Sequence, residues 1–279
     1  MREEGHPVRP PGADTTPHTV RRKRIERMRG LLDLLASRAQ EAPLTLDELV
    51  AELGVSKATL RRDLAALEDE QLVVRTHGGA RAAAAGALEI PVRLRTGQAG
   101  LAKQAIGRAT ARLIPTGEPH TLAVCGGTTT TEVIRALRRR TGLTVITNAL
   151  TLAAEAAAWS NIRVIITGGL VRAHSLEAVG PLSEKAFNSF TVATAVLGAD
   201  GVSAEHGVTT HDETEARTDR TMITHANRVI VVADGTKIGK ATHASLTGLD
   251  QVHDLVTDAD AEPAELDRIR AAGVRVHIA

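Results

Sequence analysis

The stretch Ser56-Lys57-Ala58-Thr59-Leu60-Arg61-Arg62-Asp63-Leu64 decides how the N-terminal part of the chain is expected to fold. Its leucines repeat at helical spacing and define one apolar face, formed by Leu60, Leu64 and Leu67. The opposite face is small and basic, and it consists of Ala58, Arg62 and Ala65 with Thr59 and Arg61 beside them. Such a face fits the major groove of DNA, where arginine can bind guanine edges or phosphates. Taken alone, the pattern fits a solvent-exposed helix equally well.

Two more helices are predicted before this one. Residues 22–37 repeat their apolar positions every 3.6 residues, and these positions are Ile25, Met28, Leu32 and Leu35. The segment Thr45-Leu46-Asp47-Glu48 is a capping box that begins a second helix, and Gly54 ends that helix. Ser56 then caps the third helix, which is expected to run to about Glu70. Two helices joined by a tight turn that contains glycine are typical of a helix-turn-helix motif.

Basic residues and a predicted β-turn flank this motif. A locally basic run precedes it, made of Arg21, Arg22, Lys23, Arg24, Arg27 and Arg29. Because a DNA-binding motif is adjacent, we expect this run to neutralise phosphates rather than only to face solvent. Downstream, Leu72–Arg75 predicts a short strand and Thr76–Gly79 predicts a turn back. A recognition helix followed by a strand and a basic turn indicates a winged helix-turn-helix.

Together these segments resemble the N-terminal signature of DeoR-type bacterial transcriptional regulators. The resemblance covers nearly all of residues 22–81, and it depends on the quoted stretch, Leu67-Glu68 and Arg75-Thr76-His77-Gly78-Gly79-Ala80. It implies double-stranded operator DNA as the partner. It also implies that the DNA-binding residues lie on the recognition helix and the wing, and these residues are Ser56, Lys57, Thr59, Arg61, Arg62, Arg75 and His77.

Composition excludes several classes of protein. The 279 residues are 43% hydrophobic and 24% charged, with a net charge of +1, which excludes a wholly disordered chain. No stretch of about 20 apolar residues is present, and the polar, Pro-rich N-terminus lacks the apolar segment of a signal peptide. A single cysteine, Cys125, cannot form an internal disulfide, so we expect a cytoplasmic protein. The three aromatic residues are too few for the stacking platforms that bind single-stranded nucleic acid.

The chain is expected to comprise four consecutive regions. These are a disordered tail (1–19), the winged helix-turn-helix DNA-binding domain (20–81), a linker (82–100) and a sensor domain (101–279). The last region alternates helical stretches with seven short β-branched runs: Thr121–Val124, Leu143–Thr147, Ile162–Thr167, Val192–Leu197, Arg228–Ala233, Val252–Thr257 and Val274–Ile278. This alternation predicts an α/β fold with a mainly parallel sheet, whose ligands bind beyond the carboxyl ends of the strands.

The segment Cys125-Gly126-Gly127-Thr128-Thr129-Thr130-Thr131-Glu132 is the strongest candidate for ligand chemistry. It lies between a predicted strand and a predicted helix, and its two glycines permit a tight turn. Free N–H groups at the start of the helix would hold an anion such as phosphate. The alternative is a purely structural capping box over residues 129–132. No Gly-Lys-Ser/Thr follows, so the loop is not a P-loop and ATP hydrolysis is not expected.

Further strand ends carry small polar residues, and together with this loop they resemble the C-terminal sensor domain of the same family. The matching segments are GGTTT, ITN, TGG, LGADG and ADGTK. The resemblance implies the fold of ribose-5-phosphate isomerase and CoA-transferase relatives, and a phosphorylated sugar or related metabolite as effector. The implied effector-binding residues are Gly126, Gly127, Thr128, Thr129, Thr130, Asn148, Gly169, Asp200 and Lys237.

Two positions depart from the family pattern. Cys125-Gly126 stands where relatives often have Asp-Ser, and Asp219 stands where they usually have lysine. A carboxylate in place of a cation would repel an anionic effector if residue 219 faced the site. Cys125 itself is expected to be a small buried residue rather than a redox switch.

A ligand-responsive transcriptional regulator is the leading hypothesis. It would be a homo-oligomeric repressor of carbohydrate or related metabolic genes, and its effector would release it from operator DNA. The alternative is a sugar-phosphate isomerase-like enzyme with an appended DNA-binding domain, for which the candidate bases are Asp200, Glu215 and Asp234. No catalytic residue, cofactor or metal is predicted, because the scattered histidines do not follow a zinc-binding spacing. A scaffold without a ligand would leave the arginine face and the glycine loop unexplained.

Overall fold

The computed structural model describes residues 17–38, 43–83, 89–95, 99–117 and 119–279, with the backbone alone for 17–22. The chain forms two compact units that divide between Ala83 and Ala84. The first unit has six elements: α1 (Pro17–Ser37), β1 (Leu44–Thr45), α2 (Leu46–Leu53), α3 (Lys57–Asp69), β2 (Val73–Arg75) and β3 (Gly79–Ala82). Helix α1 begins at Pro17, so the end of the expected disordered tail is helical. Residues 1–16 of that tail lie outside the described residues.

The predicted caps of the helix-turn-helix are confirmed. The Thr45 hydroxyl accepts a hydrogen bond from the N–H of Glu48, and the N–H of Thr45 donates to the Glu48 carboxylate. These two bonds complete the capping box of α2. Gly54 ends α2 in the left-handed conformation with φ of +63°, which glycine adopts without steric cost. Ser56 caps α3 by accepting a hydrogen bond from the N–H of Thr59 at 3.2 Å.

The first unit is held together by leucines, and the helical periodicity predicts the largest of them except Leu31. The largest side chains buried in α1, α2 and α3 are Leu31, Leu35, Leu49, Leu60, Leu64 and Leu67. Asp63 is also buried, on the inner side of α3, and it is bound by two arginines of α1. The Nε atoms of Arg24 and Arg27 lie 3.2 and 2.5 Å from its carboxylate oxygens. These ion pairs attach α1 to the recognition helix.

The wing is a small antiparallel sheet with the strand order β1-β3-β2. Strands β2 and β3 are joined by a turn in which the N–H of Thr76 donates to the carbonyl of Gly79 at 2.9 Å. On the other side of β3, Gly79 is so close to β1 that a Cβ atom there would lie 1.8 Å from the carbonyl oxygen of Leu44. Glycine is therefore required at this position for the wing strands to pair.

The seven β-branched runs of the second unit form one parallel sheet, as predicted. Its strands are β4 (His120–Val124), β5 (Leu143–Thr147), β6 (Ile162–Ile166), β9 (Val192–Gly198), β12 (Ala226–Val232), β14 (Asp254–Thr257) and β15 (Arg275–Ile278). The strand order is β15-β14-β12-β9-β4-β5-β6, and every neighbouring pair is parallel. The chain order reverses between β4 and β9, which makes that point the topological switch of the sheet.

Among the described residues, short antiparallel strands and seven helices complete the second unit. The strands are β7 (Leu170–Arg172) paired with β8 (Glu177–Val179), and β10 (Gly201–Ser203), β11 (Gly207–Thr210) and β13 (Ala244–Thr247) in one small sheet. The helices are α4 (Val92–Arg95), α5 (Gly100–Leu113), α6 (Thr128–Ala136), α7 (Leu150–Ala156), α8 (Pro181–Phe187), α9 (Glu213–Thr224) and α10 (Pro263–Ala271). The small strands are too short to give an alternating pattern, so periodicity did not predict them.

Alternate residues of each central strand enter two separate cores on the two faces of the sheet. In β4, Leu122 and Val124 pack with α5, α6 and α7, whereas Ala123 faces the side covered by α9 and α10. This two-residue alternation is the normal geometry of a strand that is covered on both faces. Cys125, which follows β4, is 2% exposed and belongs to the core on the side of α9 and α10, as expected for a small buried residue.

Part of the expected linker belongs to the second unit. The N–H of Val92 donates to the carbonyl of His174 at 2.7 Å, and both Val92 and Leu94 are buried. Residues 89–95 therefore pack as a structured segment, although the low-complexity sequence before them predicts a hinge. The remaining linker residues 84–88 and 96–98 lie outside the described residues. Among the helices that the structure describes, none is both long and apolar enough to cross a membrane.

We expect Gly79→Ala to destabilise the wing by about 1–3 kcal/mol, the usual cost of overpacking, because its Cβ atom would collide with the backbone of β1. Gly78→Ala is the matched control, since a Cβ atom at Gly78 meets nothing within 4 Å. Amide hydrogen exchange of β2 and β3 measures the effect. Equal protection in the two variants would show that the close approach of β1 and β3 is not required.

Candidate functional site

The outer face of α3 presents free arginines. Arg61 and Arg62 are exposed, and neither forms a hydrogen bond or ion pair with any residue that the structure describes. Ala58 is exposed beside them, and the hydroxyl groups of Ser56 and Thr59 lie 2.9 Å apart at the start of the helix. A helix with small residues and unpaired guanidinium groups on one face can enter a DNA major groove and bind base edges.

The other predicted DNA-binding residues are exposed but partly engaged. Lys57 Nζ lies 2.5 Å from an Asp47 oxygen, and Arg75 Nη1 lies 3.3 Å from a Glu68 oxygen. Both ion pairs are on the surface, where such pairs contribute little to stability and a phosphate can replace the carboxylate. His77 is exposed in the turn between β2 and β3.

The basic run of α1 has a structural role that its sequence did not predict. Arg24 and Arg27 bind the buried Asp63, and Arg29 forms an i,i+4 ion pair with Asp33. A buried carboxylate needs such partners because burying an unpaired charge is costly. These three arginines were expected to neutralise phosphates, whereas the structure engages them with carboxylates of their own unit. The side chains of Arg21 and Arg22 lie outside the described residues.

The second unit has a crevice at the topological switch of its sheet. It is lined by the loop after β4 (125–130), the loop after β9 (198–200), and Asp234 and Lys237 after β12. Residues from α4, α5, β8 and α9 close its sides. Crevices at the carboxyl ends of strands, where the strand order reverses, are the usual ligand sites of open α/β sheets.

The N-terminus of α6 opens into this crevice without a side-chain cap. Its N-cap residue is Gly127, at φ of +130°, and no side chain accepts a hydrogen bond there. The hydroxyl groups of Thr130 and Thr131 instead donate to the carbonyl of Gly127 at 3.0 and 2.7 Å. The alternative of a capping box over residues 129–132 is therefore wrong. The free N–H groups of the first turn and the helix dipole can bind an anion.

The crevice pairs three cations with two carboxylates. Arg95 Nη1 and Lys237 Nζ lie 3.0 and 3.5 Å from the same Asp200 oxygen, and Lys103 Nζ lies 3.6 Å from Asp234. Burial raises the pKa of Asp200, but the charges of Arg95 and Lys237 outweigh burial and hold that pKa below its ordinary value. Asp200 is thus ionised, and an anion in the crevice would compete with it for these cations.

Three buried carboxyl groups, here called the acid cluster, also line the crevice: Glu177, Glu215 and Asp219. Burial and then the neighbouring carboxylates raise the pKa of Glu177 and of Asp219 well above the usual range. Burial also raises the pKa of Glu215, although Arg172 at 3.0 Å opposes the shift. Glu177 accepts a hydrogen bond from the N–H of Gly126, so the acid cluster is attached directly to the glycine loop.

The two departures from the family pattern are neighbours in space. Ligand atoms of Cys125 and Asp219 lie within 4.8 Å of each other, and both residues line the crevice. The Cys125 sulfur accepts a hydrogen bond from the N–H of Gly198 at 3.1 Å. Burial, followed by the charges of Asp219 and Glu177, raises the pKa of the Cys125 thiol well above its usual range. Residue 219 therefore faces the site, which was the condition for repulsion of an anion.

The structure brings most of the predicted effector residues together. Residues 126–130, Asp200 and Lys237 line the crevice. Asn148 is fully buried behind it, where its Nδ2 donates to Asp219 Oδ1 at 3.2 Å. Gly169 is not in the crevice. It is exposed in the turn between β6 and β7, where a left-handed φ of +132° and the carbonyl of Val179 at 3.0 Å from its Cβ position favour glycine.

Several crevice residues were missed by sequence reasoning. Arg95 was assigned to the linker, and Glu177 belongs to a three-residue strand that no pattern revealed. Lys103 lies on α5, and the sequence analysis did not single it out. Glu215 and Asp234 were considered only as candidate bases. The signal that could have found them was charge, because Lys103, Glu177 and Glu215 are charged residues among mostly apolar or small neighbours.

The chain combines a winged helix-turn-helix that has a free arginine face with an α/β unit that has a crevice at its topological switch. This combination defines a DNA-binding regulator with a small-molecule sensor. The comparisons with known families agree. Residues 27–85 match the DeoR-like helix-turn-helix domain, and residues 99–259 match the DeoR C terminal sensor domain. The chain belongs to the DeoR family, and it is a sequence-specific DNA-binding transcriptional regulator.

Named relatives are similar over most of their length. The glycerol-3-phosphate regulon repressor of Escherichia coli K12 is 30% identical over 237 residues, which are 85% of this chain and 92% of that one. The transcriptional regulator GlpR of Haloferax volcanii is 32% identical over 90% of this chain and 96% of its own. Ribose 5-phosphate isomerase A of Neisseria gonorrhoeae is a distant structural match, with a TM-score of 0.36 and 12% identity over 51% of this chain and 53% of its own.

We expect Arg27→Gln to destabilise the packing of α1 on α3 by roughly 1.5–3 kcal/mol, because it removes a charged hydrogen bond from the buried Asp63. Arg38→Gln in the same unit is the control, and it should cost under about 1 kcal/mol because its ion pair with Glu52 lies on the surface. Amide hydrogen exchange of α3 measures both effects. If Arg27→Gln weakened DNA binding and left the exchange of α3 unchanged, Arg27 would be a phosphate contact instead.

Proposed function

We propose that this protein is a repressor of carbohydrate or related metabolic genes. Its effector is a sugar-type molecule, a phosphorylated sugar, which releases it from its operator. The observation that carries the proposal is a crevice lined both by an uncapped helix N-terminus and by Lys237. Both are suited to a phosphate group. A relative of this chain is named as the repressor of a glycerol-3-phosphate regulon, which supports the same class of effector.

Different residues of the crevice suit the phosphate and the hydroxyl groups of a phosphorylated sugar. The phosphate would lie at Gly127 and Thr128, where it would receive N–H groups of α6 and the charge of Lys237. The hydroxyl groups would lie toward Glu177 and Asp219, whose carboxyl oxygens accept hydrogen bonds. A phosphate placed beside Glu177 and Asp219 would meet carboxyl groups and would be repelled. The acid cluster thus orients the effector rather than excluding it.

We propose that the chain has no enzymatic activity. Each carboxylate that could be the base of a sugar-phosphate isomerase is bound to a cation: Asp200 to Arg95 and Lys237, Asp234 to Lys103, and Glu215 to Arg172. The cations hold the pKa of Asp200 below its ordinary value, whereas a general base has its pKa near the working pH. Product analysis of purified protein with pentose and hexose phosphates tests this proposal, and turnover above the uncatalysed rate would contradict it.

Operator recognition has two further consequences that we propose for this chain. Helix-turn-helix regulators bind two half-sites that are related by symmetry, so the chain acts as a homo-oligomer. Because the operator is chromosomal DNA, the chain works in the cytoplasm.

Arg62→Ala is expected to weaken operator binding by about 1–3 kcal/mol, because Arg62 lies at the centre of the exposed face of α3 and has no partner among the described residues. Arg38→Ala removes an exposed arginine of the same unit that pairs with Glu52 and is the control for lost charge. Fluorescence anisotropy with the duplex that the protein selects from a random pool measures both. Equal losses for the two variants would reduce the role of Arg62 to general charge attraction.

Lys237→Gln is expected to weaken binding of a sugar phosphate at least about tenfold, since a hydrogen bond from a charged group to phosphate is lost. Lys185→Gln, an exposed lysine on α8, is the control. Calorimetric titration with a panel of pentose and hexose phosphates and their unphosphorylated parent sugars measures the effect. Unphosphorylated sugars should bind both variants alike. A sugar phosphate that binds Lys237→Gln as tightly as the unmodified chain would contradict the placement of the phosphate.

A further inference from the structure

Three potential metal ligands from distant parts of the chain meet in the crevice. They are the Cys125 sulfur, a Glu177 oxygen and an Asp219 oxygen, and all three lie within 4.8 Å of one another. Each residue is at most 3% exposed. Tetrahedral coordination with a metal–sulfur bond of ~2.3 Å and metal–oxygen bonds of ~2.1 Å places ligand atoms roughly 3.5 Å apart. Side-chain movements that shift these ligand atoms by about an ångström would therefore convert the cluster into a coordination shell.

Asn148 supplies an independent indication that the cluster receives a ligand. Its side chain is completely buried, and its amide group contacts Asp219 through Nδ2 at 3.2 Å. The carbonyl oxygen of the same amide has no hydrogen-bond partner among the described residues. A buried amide oxygen without a partner costs free energy, and a half-turn of the amide would direct this oxygen at Asp219. An oxygen facing an oxygen requires a proton or a cation between them.

The cluster also lacks the cations that normally accompany buried carboxylates. Among the residues that the structure describes, no ion pair involves Glu177 or Asp219. Arg172 is bound to Glu215, Glu89 and Asp212. The other cations of the crevice are Arg95, Lys237 and Lys103, and they are bound to Asp200 and Asp234. Buried charges in proteins are paired or coordinate metals.

We propose that Cys125, Glu177 and Asp219, with the amide oxygen of Asn148, bind a divalent transition-metal ion of the zinc class at the floor of the crevice. A thiolate beside carboxylates favours a borderline ion such as Zn²⁺ over Mg²⁺ or Ca²⁺, which prefer oxygen ligands alone. Because the three residues line the crevice, a coordination position remains open toward it. An effector hydroxyl group or a water molecule completes the shell there.

The protons of the site balance in a simple exchange. Metal ligands must be deprotonated, so any proton on the Cys125 thiol or on the two carboxyl groups leaves when the ion binds. Binding of the ion forms one metal–sulfur bond and two metal–carboxylate bonds, and it releases those protons to solvent. No oxidant or reductant is involved. Affinity therefore decreases as the pH falls, because protons compete with the ion for the same atoms.

Cobalt(II) is the probe for the full-length chain, because cobalt bound to a thiolate gives a charge-transfer band in the near ultraviolet. We expect one Co²⁺ per chain with this band, and displacement of Co²⁺ by one equivalent of Zn²⁺. Cys125→Ser should abolish the band and Asp219→Asn should weaken Co²⁺ binding at least about tenfold. Both changes are close to isosteric. Equal thermal unfolding of the variants in the presence of a chelator confirms that they fold.

His206→Ala is the matched control, since His206 and Glu205 form an exposed pair that could bind metal adventitiously. It should leave the stoichiometry and the band unchanged. The proposal is overturned if Co²⁺ binds without a thiolate band, or if His206→Ala removes the ion. It is equally overturned if neither Co²⁺ nor Zn²⁺ binds the folded, chelator-treated chain more tightly than it binds Asp219→Asn.

Discussion

The concentration of carboxyl groups in the crevice constrains the rest of the sensor unit. Glu177, Glu215 and Asp219 are buried together, and within the described residues only Glu215 has an ion-pair partner, Arg172. Like charges in a low dielectric must be protonated, compensated or bound to a cation. The other cations of the crevice are already bound to Asp200 and Asp234, so they cannot supply this compensation. The crevice therefore contains two kinds of carboxyl group, those with a cation partner and those without one among the described residues.

The sheet topology explains why this chemistry lies where it does. Strand order reverses between β4 and β9, so the loops that follow these strands diverge and leave a crevice between them. The first loop must turn sharply and start a helix, which the conformation of Gly127 permits. The Gly126 N–H group binds Glu177 and the Gly198 N–H group binds the Cys125 sulfur. Backbone groups of the two loops thus bind Glu177 and Cys125 directly.

Much of this architecture follows from the sequence, because its signals are local. Capping residues and leucine spacing determine α2 and α3, and continuous β-branched runs determine the seven parallel strands. Residues that act through distant partners carry no such signal. Arg24 and Arg27 resemble a DNA-binding run until Asp63 is seen between them, and Glu177 lies in a strand too short for any period. Cys125, Glu177 and Asp219 are far apart in the chain, so their proximity appears only once β4, β8 and α9 are assembled. Gly169 was misplaced because a glycine turn looks the same whether or not it faces a ligand.

The central claim is that the crevice and the recognition helix are coupled in one molecule. Calorimetric titration of the tightest-binding sugar phosphate, with and without a saturating amount of the selected operator duplex, tests this claim most directly. Coupling between two sites is reciprocal, so the duplex must weaken effector binding by the factor by which the effector weakens DNA binding, typically about 5- to 150-fold. We predict that the effector binds the DNA-bound chain more weakly by this factor. Equal effector affinity in the two titrations would contradict the account.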